Sequence, residues 1–448
     1  MTSRECLYKL KWRRYHPQAF ERFAELMRNE RRTFDELMAR QESARQSIVR
    51  LAMEHTAFYP KFYGGTGFEV GDIGKEGWFE RLPVVTKEEL REHFDEFVNL
   101  DLRQFLKIST TGGSTGTPTK AGYDGRAEEE VYGWRLLDWF GVKPWDNHAY
   151  VWRDTRHSLK SRLINAALWW PTKHLKLDAT FITDEAIEKF LGEFNRVKPT
   201  LLQGYVGAVT QVAQYVIDHP AFKHSNIRTF EHFPKVVWTT SAPLSPVQRR
   251  LIEQAFDAPV CDQYGSCEIR WIAQQCAECK GLHVNVEHVS LEYVDQNNKP
   301  VPNGEYGKAI LTNLEDYVFP LIRYENGDRG RYLTESCPCG RTLPCIDAVK
   351  GRESESFVLP SGKTINGEYL TTIFDATPDL VRGFRVVQHR DASITIEYVP
   401  NAGSNEKDIL KVLEAFATRL GGEVAVEFKK VDSIPHDRGK LRFVVREV

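Results

Sequence analysis

Apolar residues recur three and four apart near the start of the chain: Phe20, Phe23, Leu26 and Met27, then Phe34, Leu37, Met38, Ile48 and Leu51. That spacing is one face of a 3.6-residue repeat and predicts helices over residues 16–56. Thr86 followed three residues later by Glu89 is a capping box, which starts another helix at Lys87. From Leu106 onward the pattern shortens. Runs such as 148–152 (HAYVW) and 235–240 (KVVWTT) read as strands, alternating with helical stretches over 184–195 and 207–217. This alternation predicts an α/β core. After Gly351-Arg352 the pattern changes again: residues 384–389 and 393–399 read as paired strands, 405–419 as a helix, and 424–431 and 441–445 as further strands. The chain has 448 residues, more than one hydrophobic core organises. The expected fold class is therefore α/β, with a large multi-layer N-terminal domain of sheets and helices over 1–350, whose first 100 residues are helical. A small mobile α+β domain follows over 353–448, joined through the polar stretch Glu353-Ser354-Glu355-Ser356.

Composition narrows the class. Lys and Arg total 60 against 62 Asp and Glu, a formal charge of -2, so the chain lacks the basic surplus of a nucleic-acid-binding protein. No apolar run reaches the ~18 residues of a membrane helix, and MTSRECLYKLKWRRYH lacks the apolar stretch of a secretory signal. A cytoplasmic enzyme with no membrane partner is expected, and assembly as a homodimer stays open. The clusters Lys11-Trp12-Arg13-Arg14 and Arg31-Arg32 have the charge to touch anionic surfaces, though their first reading is as solvated helix faces.

Eight cysteines are too few for a disulfide scaffold at this length, and five lie in two tight groups. Cys276 and Cys279 form a CxxC knuckle followed by His283. Cys337 and Cys339 form a CxC at a turn, with Cys345 beyond. Four thiolates from two loops enclose a tetrahedral zinc, and a closed four-ligand site is structural. Cys276, Cys279, Cys337 and Cys339 are the expected ligands, with His283 the alternative to Cys279.

The most informative stretch runs from Thr110 to Lys120, TTGGSTGTPTK, where three glycines interleave with hydroxyl residues. Backbone N–H groups freed by glycine point at phosphate oxygens, and hydroxyls add donors. It is not a Walker loop, because Thr117-Pro118 follows Gly116 where Lys-Ser or Lys-Thr would stand.

Further motifs follow in order: Tyr264-Gly265-Ser266-Cys267-Glu268, then Tyr324-Glu325-Asn326-Gly327-Asp328, then Gly351-Arg352, then Arg438-Gly439-Lys440. Together with EHTAFYPKFY from Glu54, this series resembles the adenylate-forming enzymes, and within them the phenylacetate-CoA ligase branch that includes CapK-type proteins. The resemblance spans about His55 to Lys440. It implies that ATP binds through Thr111, Gly113, Ser114, Thr115, Gly116 and Thr119 at the β- and γ-phosphates. Ser241, Ala242 and Pro243 lie where the adenine-contacting loop sits, and Tyr264, beside Gly265, offers an aromatic face to the base. Asp328 accepts from the ribose hydroxyls, Arg352 makes a second ribose or phosphate contact, and Glu268 holds magnesium. Lys440 is the catalytic cation, brought to the α-phosphate by the small domain. Two departures stand out: Thr111-Gly112-Gly113 replaces the Ser-Ser-Gly that commonly opens the family loop, and Cys267 stands where Thr is frequent.

The resemblance further implies activation of a carboxylic acid to an acyl adenylate, pyrophosphate release, and acyl transfer to an acceptor, coenzyme A first. Trp152, Gln203-Gly204-Tyr205, Trp238 and Tyr264 suit an aryl or arylacetic acid, and an aromatic-rich core explains them equally well. An adenylylating nucleotidyltransferase, an amide-forming ligase of the CapK type and a noncatalytic zinc-stabilised scaffold remain alternatives.

Overall fold

The computed structural model describes residues 2–110, 120–152, 159–179, 182–219, 232–278, 281–349, 357–361, 364–365, 370, 373–374, 377, 379–419, 422–437, 440–441 and 444–447. They fall into two compact units, neither contiguous in sequence: one comprises Met1–Tyr15, Leu137–Asp262 and Lys350–Val448, the other His16–Leu136 and Gln263–Val349.

The first unit is built on parallel strands. His148–Trp152 pairs on one side with His174–Asp178 and on the other with Leu201–Tyr205, which in turn pairs with Val236–Thr240. All five residues of Val236–Thr240 are buried, the signature of a strand covered on both faces. Between the strands run helices, of which Asp184–Val197 is typical: Thr183 caps it by accepting from the Ala186 N–H, and Ile187, Phe190, Leu191 and Phe194 form its buried stripe. These side chains share a core with Ala149, Val151, Val212, Val237 and Ile252.

The same unit includes a smaller four-stranded sheet near the C-terminus. Val381–Gln388 pairs antiparallel with Ile394–Pro400, which takes Val426–Lys430 alongside in parallel, while Val444–Arg446 pairs parallel with Val381–Gln388. Helix Glu406–Arg419 contributes Ile409, Leu413 and Phe416 to its core, and Val247 of helix Pro246–Phe256 enters the same cluster. The mixed α/β architecture with a smaller C-terminal domain is the one that the hydrophobic pattern predicts.

The second unit opens with helices Ala19–Asn29 and Phe34–His55; the latter is started by a capping box between Thr33 and Glu36. The Thr86–Glu89 box is present too and opens helix Lys87–Glu92. A hairpin, Leu106–Thr110 with Lys120–Asp124, brackets residues 111–119. An antiparallel sheet of Val289–Val294, Gly307–Asn313 and Tyr324–Gly330 completes the frame. Arg323, just before the last strand, is 1% exposed, pairs through Nε with Glu292 at 3.1 Å and donates to the carbonyls of Glu80 and Leu82.

Candidate active site and metal centre

Strand Tyr324–Gly330 buries alternate residues, so Tyr324, Asn326, Asp328 and Gly330 face inward together. Its register against Gly307–Asn313 jumps from Lys308↔Arg329 to Ile310↔Glu325, which leaves residues 326–328 opposite Ala309 alone. Gly327 allows this bulge with φ at 84°. The Asn326 side chain closes it, its Oδ1 accepting from the Asp328 N–H at 3.0 Å. The bulge re-aims Asp328 toward Tyr264. The Tyr264 hydroxyl donates to Asp328 Oδ2 at 2.8 Å, and Asn326 Nδ2 donates to both, at 2.8 Å to the hydroxyl and 2.7 Å to the carboxylate. Burial, reinforced by the Asp328 charge, holds the Tyr264 phenol well above its ordinary range, so it remains a donor.

Tyr264 is followed by a tight turn that only glycine admits: a Cβ on Gly265 would lie 1.7 Å from the Arg270 carbonyl oxygen. Ser266 Oγ accepts from the N–H groups of Glu268 and Ile269, at 3.2 and 3.0 Å, and so fixes the loop that presents Glu268. The Glu268 side chain is buried, and Tyr324 donates to its Oε1 at 3.1 Å. Tyr324 and Asp328, on one face of one strand, thus hold Glu268 and Tyr264. A third tether comes from the hairpin, where Ser109 Oγ donates to the Cys267 carbonyl at 3.2 Å. The strand that leads into the glycine-rich segment is therefore anchored beside Glu268.

Trp152, Tyr205, Ser241, Ala242, Pro243 and Lys440 belong to the first unit. Ser241, with φ at 73°, opens the turn after strand Val236–Thr240; Ala242 and Pro243 continue it to Ser245, whose capping box with Gln248 starts helix Pro246–Phe256. A turn from the carboxyl end of a parallel strand to a helix N-terminus is the usual ligand-binding edge of an α/β sheet. At that same edge the Trp152 and Tyr205 rings pack at a 32° tilt with centroids 4.2 Å apart. Lys440 lies in a two-residue strand, Lys440–Leu441, paired with His436–Asp437. Thr111, Gly113, Ser114, Thr115, Gly116, Thr119, Arg352 and Cys279 lie outside the described residues.

In the second unit Cys276, His283, Cys337 and Cys339 bring their donor atoms within 4.8 Å of one another. The Cys276 and Cys337 sulfurs are 3.7 Å apart, and Cys339 Sγ is 3.4 Å from His283 Nε2. Such separations are the edges of a tetrahedron around zinc, whose ligands bind at ~2.0–2.3 Å. His283 Nδ1 lies 3.2 Å from the Leu343 carbonyl, which fixes the proton there and leaves Nε2 toward the cluster. The donor set fits a structural zinc.

Asn326, Tyr324 and Ser109 are additions that the sequence reading did not assign. Asn-Gly was a visible turn signal, but the partners of the two tyrosines depend on long-range pairing.

The C-terminal part, residues 357–447, matches the CapK C-terminal domain family. The chain is similar to protein CapK of Staphylococcus aureus, with 24% identity over 385 residues covering 82% of this chain and 80% of that protein. It is also similar to phenylacetate-coenzyme A ligase of Escherichia coli (strain K12), with 23% identity over 338 residues, 72% of this chain and 73% of the ligase. Among solved structures, 2-hydroxyisobutyryl-CoA ligase in its postadenylation state superposes with a TM-score of 0.73 at 21% identity, covering 91% of this chain and 89% of that one. Fold and sequence define an adenylate-forming protein. Within that superfamily the chain is similar to CapK and to phenylacetate-CoA ligase, and its residues 357–447 match the CapK C-terminal domain.

Proposed function

We propose that the protein activates a carboxylic acid with ATP, forming an acyl adenylate and releasing pyrophosphate, and then transfers the acyl group to coenzyme A. The observation that carries this reading is the Tyr264–Asn326–Asp328 cluster, which sets a buried carboxylate at a bulge within a motif shared with adenylate-forming enzymes. A carboxylate held by two donors is preorganised to accept from the vicinal hydroxyls of a ribose.

The obstacle to the first step is crowded negative charge. One oxygen of the acid attacks the α-phosphorus, the bond to the bridging oxygen breaks, and pyrophosphate leaves with that electron pair. Residues 111–119 would hold the β- and γ-phosphates, Arg352 the ribose or a phosphate, and the Lys440 ammonium the charge that grows on the α-phosphate. Glu268 would hold magnesium, which neutralises phosphate charge when bound; a single carboxylate completed by water suits that ion. Ser241–Pro243 would line the adenine. The tilted Trp152–Tyr205 pair offers an aromatic wall, which favours an aryl or arylacetic acid. Residues 353–448 would act as a lid that carries Lys440 in and out. Zinc would fasten the loops of the second unit and take no part in the reaction.

The second reading keeps the adenylate and changes the acceptor to an amine, an alternative raised by the fold likeness to amide bond synthetase McbA of Marinactinospora thermotolerans, TM-score 0.51 at 17% identity. Incubation with ATP and a panel of carboxylic acids, with and without coenzyme A, followed by mass spectrometry, separates the two. An acyl-CoA product supports the first and an amide the second. AMP retained on the acid without transfer identifies a nucleotidyltransferase. Absence of acid-dependent pyrophosphate exchange into ATP across the panel rejects adenylation altogether.

A further inference from the structure

The first unit exposes apolar side chains where two helices meet. On helix Ser3–Tyr15, Tyr8 packs inward against Trp145, with centroids 6.2 Å apart, while Leu7 and Leu10, 39% and 71% exposed, point outward. Helix Leu159–Trp169 and the residue after it expose Ile164, Leu168, Trp169 and Trp170. Lys11 joins the two: its Nζ donates to the carbonyls of Ala167, Leu168 and Trp170 at the end of that helix. Lys11 thereby ties the first helix to the end of the second, where Leu168, Trp169 and Trp170 are exposed.

Charge is concentrated on the same two segments. Residues 3–15 contain Arg4, Lys9, Lys11, Arg13 and Arg14 against Glu5 alone. Residues 159–176 contain Lys160, Arg162, Lys173 and Lys176 with no acidic residue. Each has a surplus of four positive charges in a chain whose formal net charge is -2. Of these, Arg4, Arg13, Arg14, Lys173 and Lys176 are exposed on the segments that carry the apolar groups. A surface of Leu and Trp rimmed by Lys and Arg repels a second copy of itself and attracts an apolar layer beneath negative charge.

We propose that this face docks the protein onto a membrane surface bearing anionic lipids, with Leu10, Leu168 and Trp170 entering the headgroup boundary and the basic rim meeting lipid phosphates. Peripheral contact of this kind needs no spanning helix, and none of the described helices is long and apolar enough to cross a membrane. The proposal is independent of which acid or acceptor the enzyme uses.

Co-sedimentation of the full chain with vesicles of phosphatidylcholine and phosphatidylglycerol, and with vesicles of phosphatidylcholine alone, tests it. Binding is expected to the anionic vesicles and to fall as salt rises from 50 to 500 mM. Arg14→Glu and Lys173→Glu should each weaken it about fivefold or more, and Trp170→Ser about tenfold. All three positions are exposed, so unchanged thermal unfolding checks that the fold persists. Equal binding to both vesicle types, no binding to either, or binding indifferent to these substitutions would overturn the proposal. So would light scattering that shows a dimer which Trp170→Ser dissociates, because the face would then belong to a second copy of the chain.

Discussion

Tyr264 and Asp328 stand 64 residues apart in the chain and are joined by a hydrogen bond of 2.8 Å. Because burial and the Asp328 charge keep the phenol protonated, the pair acts as one donor–acceptor unit rather than as a base platform and a ribose contact that happen to be neighbours. Tyr264→Phe keeps the ring and removes the donor. It should cost about 2 kcal/mol of stability, the usual value for a hydrogen bond to a charged group, and raise the KM for ATP several-fold more than it lowers kcat. Pyrophosphate exchange at varied ATP measures the split; an unchanged KM would mean that the pair serves only the fold.

Lys440 should behave differently. Its proposed role is confined to the charge that develops during adenylation, so Lys440→Ala is expected to slow adenylate formation on the order of a hundredfold to a thousandfold while ATP affinity changes little. Supplied with a preformed acyl adenylate, the variant should transfer the acyl group at nearly the normal rate. Single-turnover measurements of each half-reaction check this, and equal losses in both would assign Lys440 to the fold instead.

The metal centre separates two candidate ligand sets. With Cys276, His283, Cys337 and Cys339 already within ligating range of one another, freshly purified protein should contain one zinc per chain. Cys337→Ser or His283→Ala should lose the ion and lower the melting temperature, whereas Cys279→Ser should keep both. Elemental analysis of the three variants decides; retention in His283→Ala with loss in Cys279→Ser would reverse the ligand assignment.

Acid should loosen the first unit through two histidines paired across adjacent parallel strands, His148 and His174. Burial pushes His148 down to about 4 against the opposing pull of Asp146, and pushes His174 down to about 3, aided by His148 and Lys176. Both folded values lie below the ordinary 6.5. The unfolded chain therefore takes up these protons first, and the stability that the neutral rings confer is full above pH 6.5 and is lost as pH falls toward 4 and 3. His148 alone accounts for about 3 kcal/mol of that slope. Urea unfolding between pH 7 and 4 should show the decline, and His148→Gln should flatten it; an unchanged slope would place the acid sensitivity elsewhere.

Much of this was legible in the chain. Thr86 and Glu89 named a helix start by local chemistry alone, and Ile187, Phe190, Leu191 and Phe194 announced a buried stripe by their spacing. The grouping into compact units was not, because the stretch beginning at Lys350 clusters with Leu137–Asp262 while Gln263–Val349 clusters with His16–Leu136, and no local pattern encodes such a return of the chain. The site divides along the same line. Asp328 and Glu268 are visible as residue types within motifs, but their holders, Tyr264, Asn326 and Tyr324, depend on a bulge whose position only the pairing with Gly307–Asn313 defines. His283 stands as the alternative to Cys279, and distance along the chain does not rank donors that converge from two loops.

The bulge also imposes a parity on the strand. Tyr324 and Asp328 share a face only while three residues separate them, with Gly327 taking the slack in its left-handed turn. Losing or gaining one residue there would leave the sheet intact yet invert one of the two anchors, uncoupling Glu268 from the carboxylate that Tyr264 holds. The segment thus tolerates exchange of side chains at its half-buried positions, Glu325 and Arg329, far better than any change in its length, and natural variation in this stretch should be substitution without insertion or deletion.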